Sequence, residues 1–302
     1  MSGRSLLTSP AGADLFVRKA ARTTPLRRRE LTVRALLTAA ILAAVAAAGQ
    51  TAAPVDLEAK LIALYAAGNT EDAVQMVMQG QGAERLDRFD RAREVWVFGP
   101  WRGKDLDDYI VLADAGIEEA MRQAREATDP EEIIALVDRA NVMSYNLAAD
   151  LAACWPGDTL NRQPRHFQRG LSAALQSVEW RLELDKGPYP LYIAYWAAGM
   201  HQLSLGHCEQ AVYTLNQALN HAQQHTADSG LPLGLAPEAG FDLILAHGYL
   251  GIALERCGQG SDQYDLAVEA FEEGIAEYPD RADDYSFGIS QLETARAAVT
   301  EG

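Results

Sequence analysis

The stretch from Tyr195 to His225 constrains the fold of this chain more than any other. On either side of Gly206, two sets of residues follow the 3.6-residue period of one helix face. Several are small, as expected where two antiparallel helices come close, and glycine adopts the positive φ of a tight turn without steric strain. The stretch therefore predicts a helix hairpin. The two sets are Tyr195, Ala198, Gly199 and Gln202 before the turn, and Ala211, Leu215, Ala218 and Leu219 after it.

The order of residue types in this hairpin resembles that of a tetratricopeptide (TPR) helix hairpin. An aromatic residue precedes a small pair and a glycine turn, and then come an alanine, a large apolar residue and a second alanine. The resemblance is best over 190–225 and 238–280. Matching small positions Ala149, Gly199 and Gly251 lie 50 and 52 residues apart, whereas TPR units repeat every ~34 residues, so these units carry longer helices and loops.

The resemblance and the helical periodicity imply an all-α fold. We expect stacked antiparallel helix hairpins, a TPR-like α-solenoid of about ten to eleven helices. An amphipathic pattern from Asp284 to Val299 predicts a C-terminal capping helix, which such stacks need for solubility. The expected domain organisation is a targeting segment over residues 1–48 and a helical domain over 49–302.

The first 48 residues have the features of a secretory signal peptide. A basic stretch precedes an alanine-rich apolar run at 35–48, and Ala46 and Ala48 suit a signal-peptidase site before Gly49. The run is short for a membrane span, which needs roughly 20 strongly apolar residues. We expect a secreted or periplasmic protein. The alternative is a protein anchored in the membrane by residues 35–48, and only such an uncleaved segment would involve the membrane.

The charge of the helical domain restricts its partners. Residues 1–48 hold 8 of the 26 Lys and Arg residues and 2 of the 42 Asp and Glu residues, so residues 49–302 hold 18 basic and 40 acidic residues, a net charge of −22. A surface this acidic is a poor match for nucleic acid or anionic membranes. We therefore expect no nucleic-acid partner.

Three cysteines, Cys154, Cys208 and Cys257, follow the signal-like segment. An oxidising compartment would allow one disulfide and leave one thiol. Their spacing matches no zinc or redox motif, and we expect each cysteine to act as a small buried apolar residue.

The sequence contains no metal, phosphate-loop, dinucleotide or nucleophile motif. His221 and His225 lie four residues apart on one helix, but no third metal ligand is nearby in sequence. An enzyme using His201, His207 or the acidic clusters is a minor alternative, because catalysis needs a base beside an oriented partner. We expect a non-enzymatic protein without a cofactor.

The TPR resemblance also indicates a candidate groove. In that family the concave surface is formed mainly by the first helix of each hairpin. When these first-helix positions are transferred to this sequence, they form a candidate groove. It contains polar residues that would fix a peptide backbone and apolar residues that would give adaptable contacts. The alternative is that its apolar members pack on the neighbouring hairpin. The candidate groove residues are Asn146, Asp150, Trp196, Met200, Leu203, Ile252, Glu255 and Arg256.

The leading hypothesis is a secreted or periplasmic TPR-like scaffold that binds a protein or peptide. The alternative is a small-ligand-binding helical protein, such as an accessory subunit of a solute-uptake system. An enclosed pocket with convergent polar groups would favour the alternative, and an open apolar trough would favour the scaffold.

Overall fold

A computed structural model of the chain describes residues 54–99, 101 and 103–300, with side chains from residue 57 onward. The predicted signal peptide lies outside these residues. Eleven α-helices account for most of the described chain, which contains no β-strand, and residues Val55–Gly302 form one compact unit. The fold is therefore all-α, as predicted. The helices are α1 (Pro54–Ala66), α2 (Thr70–Met78), α3 (Gly82–Phe98), α4 (Leu106–Glu126), α5 (Pro130–Leu151), α6 (Pro164–Glu183), α7 (Pro188–Ser204), α8 (Cys208–Asp228), α9 (Phe241–Arg256), α10 (Gln263–Glu277) and α11 (Ala282–Thr300).

Local signals set the boundaries of several helices. The carboxylate of Asp129 accepts a hydrogen bond from the Glu131 backbone N–H at 3.2 Å, and Pro130 occupies the first turn of α5. Asp105 caps α4 in the same way, at 2.8 Å from the Asp107 N–H. Side-chain acceptors at this position satisfy N–H groups that the helix itself leaves unpaired.

The central hairpin, α7 and α8, has the predicted turn and the predicted close approach. Gly206 has a φ of 74° in the turn between the helices. A Cβ added at Gly199 would lie 2.5 Å from Leu215 Cγ, so only glycine fits at this crossing. A Cβ at Gly251, the equivalent position of α9, would lie 2.3 Å from the Tyr264 backbone nitrogen of α10. The small residues of the sequence pattern therefore mark helix contacts.

Two layers of helices form the stack. Each helix from α3 onward packs against the next helix in the chain, and α5, α7, α9 and α11 also contact one another as one layer. α11 reaches both α9 and α7, and it covers the end of the stack with its buried residues Tyr285, Leu292 and Ala295. α7 and α9 are apolar on nearly every face, as expected of helices enclosed by others.

A disulfide joins Cys208, at the start of α8, to Cys257, just after α9, with 5.5 Å between their Cα atoms. The expectation that every cysteine is a buried apolar residue is therefore wrong for these two. It is confirmed for Cys154, which is free and buried. Stacking of the α7–α8 and α9–α10 hairpins brings the turns of the two hairpins together. The two cysteines are 49 positions apart in the sequence, so the sequence alone does not show that they meet.

Candidate functional site

The four apolar members of the candidate groove lie in the protein interior. Trp196, Met200, Leu203 and Ile252 are each at most 5% exposed. The Trp196 ring packs edge-on against Trp155, with centroids 6.1 Å apart, and lies 5.6 Å from the Tyr249 ring. Because α7 and α9 are enclosed by neighbouring helices, these side chains do not line an open trough. The arrangement favours the core-packing alternative.

Two of the polar members, Glu255 and Arg256, lie near the end of α9. Glu255 forms an ion pair with Arg296 of α11 at 3.0 Å, and Arg256 is exposed at the end of α9. Asn146 is partly buried on α5. A role for these three residues in binding a partner stays a prediction.

The eighth candidate, Asp150, belongs to a partly buried polar cluster between α3, α4 and α5. Arg93 of α3 donates two hydrogen bonds to its carboxylate, at 2.7 and 2.8 Å. The Tyr109 hydroxyl of α4 donates to the same carboxylate. Burial alone would lower the pKa of Arg93, but Asp150 raises it above its ordinary value. Burial raises the pKa of Tyr109, with Asp150 adding to the effect. Arg93 is therefore charged and Tyr109 protonated at neutral pH.

A small cavity adjoins this cluster. It provides about 20 Å³ for the centres of water molecules, enough for one water but far below the ~300–1,000 Å³ of a metabolite site. Its lining residues are Phe89, Asp90, Arg93, Tyr109, Leu112, Ala113, Gly116 and Met143.

Asp90 is the carboxylate among the residues that line this cavity. Desolvation raises its pKa to about 6, although Arg139 and Arg93 act in the opposite direction. Arg139 of α5 forms an ion pair with Asp90. Burial therefore makes the Asp90 carboxyl easier to protonate than a free aspartate, beside a cavity with room for about one water molecule.

Sequence reasoning did not identify Arg93 and Tyr109 as neighbours of Asp150. Tyr109 lies 41 residues and Arg93 57 residues from Asp150 along the chain. Each is a charged or aromatic residue on a helix that is predicted from its hydrophobic periodicity. A single sequence does not show which residues of different helices are in contact.

Three of the four histidine candidates, His201, His221 and His225, make packing contacts. His221 stacks on Tyr195 with centroids 5.4 Å apart, and His225 lies 5.1 Å from the Tyr189 ring. Within the described part of the chain, no three His, Cys, Asp or Glu side chains are grouped to hold a metal ion. His201 is fully buried with Nε2 2.8 Å from the Ala148 carbonyl oxygen, whereas His207 is exposed before α8. The two histidines are therefore in different environments and do not form a pair.

None of the described helices has the length and apolar character that crossing a membrane requires. No protein-family model matches this chain, and no curated protein is significantly similar to it. The resemblance to TPR hairpins therefore remains a resemblance, carried by the residues quoted above.

Proposed function

We propose that this chain is a secreted or periplasmic helical scaffold that binds a protein or peptide and has no catalytic activity of its own. The main support for the proposal is that the interior has no room for a ligand larger than water at the polar cluster, whereas the surface exposes large aromatic side chains. The enclosed space at the polar cluster holds only about one water molecule, while large aromatic side chains are exposed. Phe98 of α3 is 65% exposed and Tyr213 of α8 is 67% exposed.

Exposed aromatic side chains are common anchors in protein interfaces. They supply a large contact area with little loss of conformational freedom, and Tyr is enriched among the residues that dominate binding energy. The acidic surface, with a net charge of −22 over residues 49–302 by the count above, favours a basic partner and would increase its association rate.

Export is supported by the disulfide between Cys208 and Cys257. Disulfides persist in oxidising compartments such as the bacterial periplasm and are rare in reducing cytosol. Together with the signal-like residues 1–48, the disulfide fits a protein that folds after translocation.

Photo-crosslinking in the native host tests the proposal. The photoreactive aromatic amino acid p-benzoylphenylalanine replaces Phe98 or Tyr213, and a control carries it at the exposed Glu293 of α11. We expect a discrete protein adduct at Phe98 or Tyr213 and none at Glu293. If the exported, folded protein gives no adduct at either aromatic position, the scaffold proposal is wrong.

The small-ligand alternative is tested in parallel by a thermal-shift screen of metabolites. A ligand at 100 times its dissociation constant stabilises the folded state by about 2.7 kcal/mol. A metabolite that gives such a shift, without any crosslinked protein, would favour the alternative over the scaffold. The present cavity is too small for such a ligand, so this outcome would also require the helices around Asp150 to move apart.

A further inference from the structure

Two tryptophans at the end of α3 form a corner that holds an ammonium group. Trp96 lies in α3 and Trp101 in the connection to α4, with ring planes 77° apart and ring centroids 5.8 Å apart. The Nζ atom of Lys104 lies over both rings, 5.6 Å from the Trp96 centroid and 5.7 Å from the Trp101 centroid. A ring face attracts a cation within about 6 Å of its centroid. This tryptophan corner is therefore a cation site, and a lysine of the same chain occupies it.

The surrounding helices fix both rings of the tryptophan corner. Tyr109 of α4 stacks on Trp96 with centroids 4.5 Å apart, and Tyr65 of α1 stacks on Trp101 with centroids 5.5 Å apart. Trp96 is only 1% exposed, whereas Trp101 and Lys104 are partly exposed. The corner is therefore built before any ligand arrives, which lowers the entropic cost of binding, and it is reached from the side of Trp101 and Lys104.

The ammonium of Lys104 is only partly satisfied in this position. It is a strongly hydrated cation with three N–H donors. It donates one hydrogen bond, to the Val97 carbonyl oxygen at 2.6 Å, and forms no ion pair with a carboxylate of the described residues. Burial lowers the pKa of Lys104, while the charge of Asp158 acts in the opposite direction. The lysine therefore loses hydration without gaining a full set of acceptors.

The tryptophan corner suits a cation that has no N–H donors. Its walls are ring faces, and the indole N–H groups of Trp96 and Trp101, which have no hydrogen-bond partner, are donors themselves. A quaternary ammonium group needs no acceptor, and aromatic cages attract it by the same interaction that holds Lys104. It therefore fits the chemistry of the corner better than the lysine does.

We propose that the tryptophan corner binds the quaternary ammonium group of a small ligand, and that Lys104 is an internal substitute that leaves when the ligand enters. Lys104 lies in the connection between α3 and α4, directly after Gly103, which has a φ of 83°. Its side chain can therefore turn into solvent without a movement of either helix. The acidic surface of the protein attracts such a cation.

Binding at this site is weak, because two ring faces hold only the head of the ligand. We expect a dissociation constant of about 1–50 mM for choline, which is the probe used below. This affinity lies outside the range of a metabolite screen at micromolar concentrations, and binding at the corner does not require the cavity beside Asp150 to open.

Nuclear magnetic resonance of the purified protein tests the proposal. Choline chloride replaces sodium chloride at constant chloride concentration, and ¹H–¹⁵N spectra follow the indole N–H signals, with that of Trp101 assigned by its absence in Trp101→Phe. We expect saturable shifts of the Trp96 and Trp101 signals. Two further probes separate the contributions of charge and methyl groups: 3,3-dimethyl-1-butanol is the neutral isostere of choline, and ethanolamine carries a primary ammonium. Both should bind at least about tenfold more weakly than choline.

Three variants test the role of each side chain. Lys104→Ala should lower the dissociation constant for choline at least about tenfold, because an internal competitor reduces the fraction of binding-competent protein. Lys186→Ala, which causes the same change in net charge at a lysine paired with Asp138, should leave it unchanged. Trp101→Leu removes one ring face and should raise it about tenfold, with circular dichroism to confirm folding.

Three results would overturn the proposal: no saturable shift in Lys104→Ala, equal affinity of Lys104→Ala and the wild type, or binding of the neutral alcohol as tight as that of choline. The last comparison uses the unmodified protein, so it does not depend on the folding of a variant. The experiment contains no protein partner, and its outcome is therefore independent of the proposed scaffold function.

Discussion

Removal of the disulfide between Cys208 and Cys257 should produce a large loss of stability. The bridge closes a loop with a sequence separation of 49 residues, comprising α8, the connection to α9 and α9 itself. Cross-linking removes conformational entropy from the unfolded chain, by about 2.1 + 1.5R ln n cal/mol/K for a loop of n residues. For a loop of this length the formula gives about 14 cal/mol/K, or about 4 kcal/mol at 25 °C.

The assay is urea unfolding followed by circular dichroism at 222 nm. With an m-value of about 3 kcal/mol/M for a domain of this size, the double variant Cys208→Ser/Cys257→Ser should unfold at a urea concentration about 1.3 M lower than the wild type. Reduction of the wild type with dithiothreitol should lower the midpoint by the same amount. The reductant should have no effect on the double variant, because the remaining cysteine, Cys154, is free and buried.

Two results would refute this reasoning. If dithiothreitol leaves the wild-type midpoint within about 0.2 M of its oxidised value, the bridge does not restrict the unfolded chain as the entropy model requires. If a non-reducing peptide map finds Cys154 in a disulfide, the pairing itself is wrong, together with the proximity of the two turns that it implies.

Three further predictions concern single residues. Asp150→Asn should destabilise the protein by about 3 kcal/mol in urea unfolding, because it leaves the largely buried Arg93 guanidinium without its counter-charge; a change below about 1 kcal/mol would mean that water screens the pair. Burial lowers the pKa of His201 to about 4, whereas the same side chain has a pKa of about 6.5 in the unfolded chain. The contribution of the neutral His201 to the free energy of unfolding is therefore complete above pH 6.5, and it falls by about 3 kcal/mol as the pH drops to 4. His201→Gln should remove that part of the pH dependence, and an unchanged slope would show that other groups cause it. Gly199→Val should lower stability by about 1–3 kcal/mol through overpacking against Leu215, which a Cβ would approach to 2.5 Å; an unchanged thermal midpoint would contradict the close crossing of α7 and α8.

Short-range features of the sequence were sufficient to predict the helices and the central hairpin. The Asp129–Pro130 start of α5, the positive φ of Gly206 and the small residue at Gly199 each depend on chemistry within a few residues or on one helix crossing. Capping residues, turn glycines and the 3.6-residue period are local sequence signals, so they predict helix ends and helix faces directly.

The candidate site could be predicted only in part. The contacts of Asp150 with Arg93 and Tyr109 and the burial of Trp196 could not be predicted, and a binding role for Asp150 stays a prediction. Periodicity shows that a face is apolar. It does not show whether that face meets solvent or a third helix.

By itself, the sequence determined the secondary structure of this protein, the close packing of its central hairpin and the acidic character of its surface. Only the tertiary structure decided that Trp196 and Met200 are buried between helices, that Cys208 meets Cys257 and that Arg93 neutralises Asp150. The physical reason is that local backbone preferences are encoded over a few residues, whereas these contacts join residues about 50 positions apart and depend on how tightly successive hairpins curve around one another.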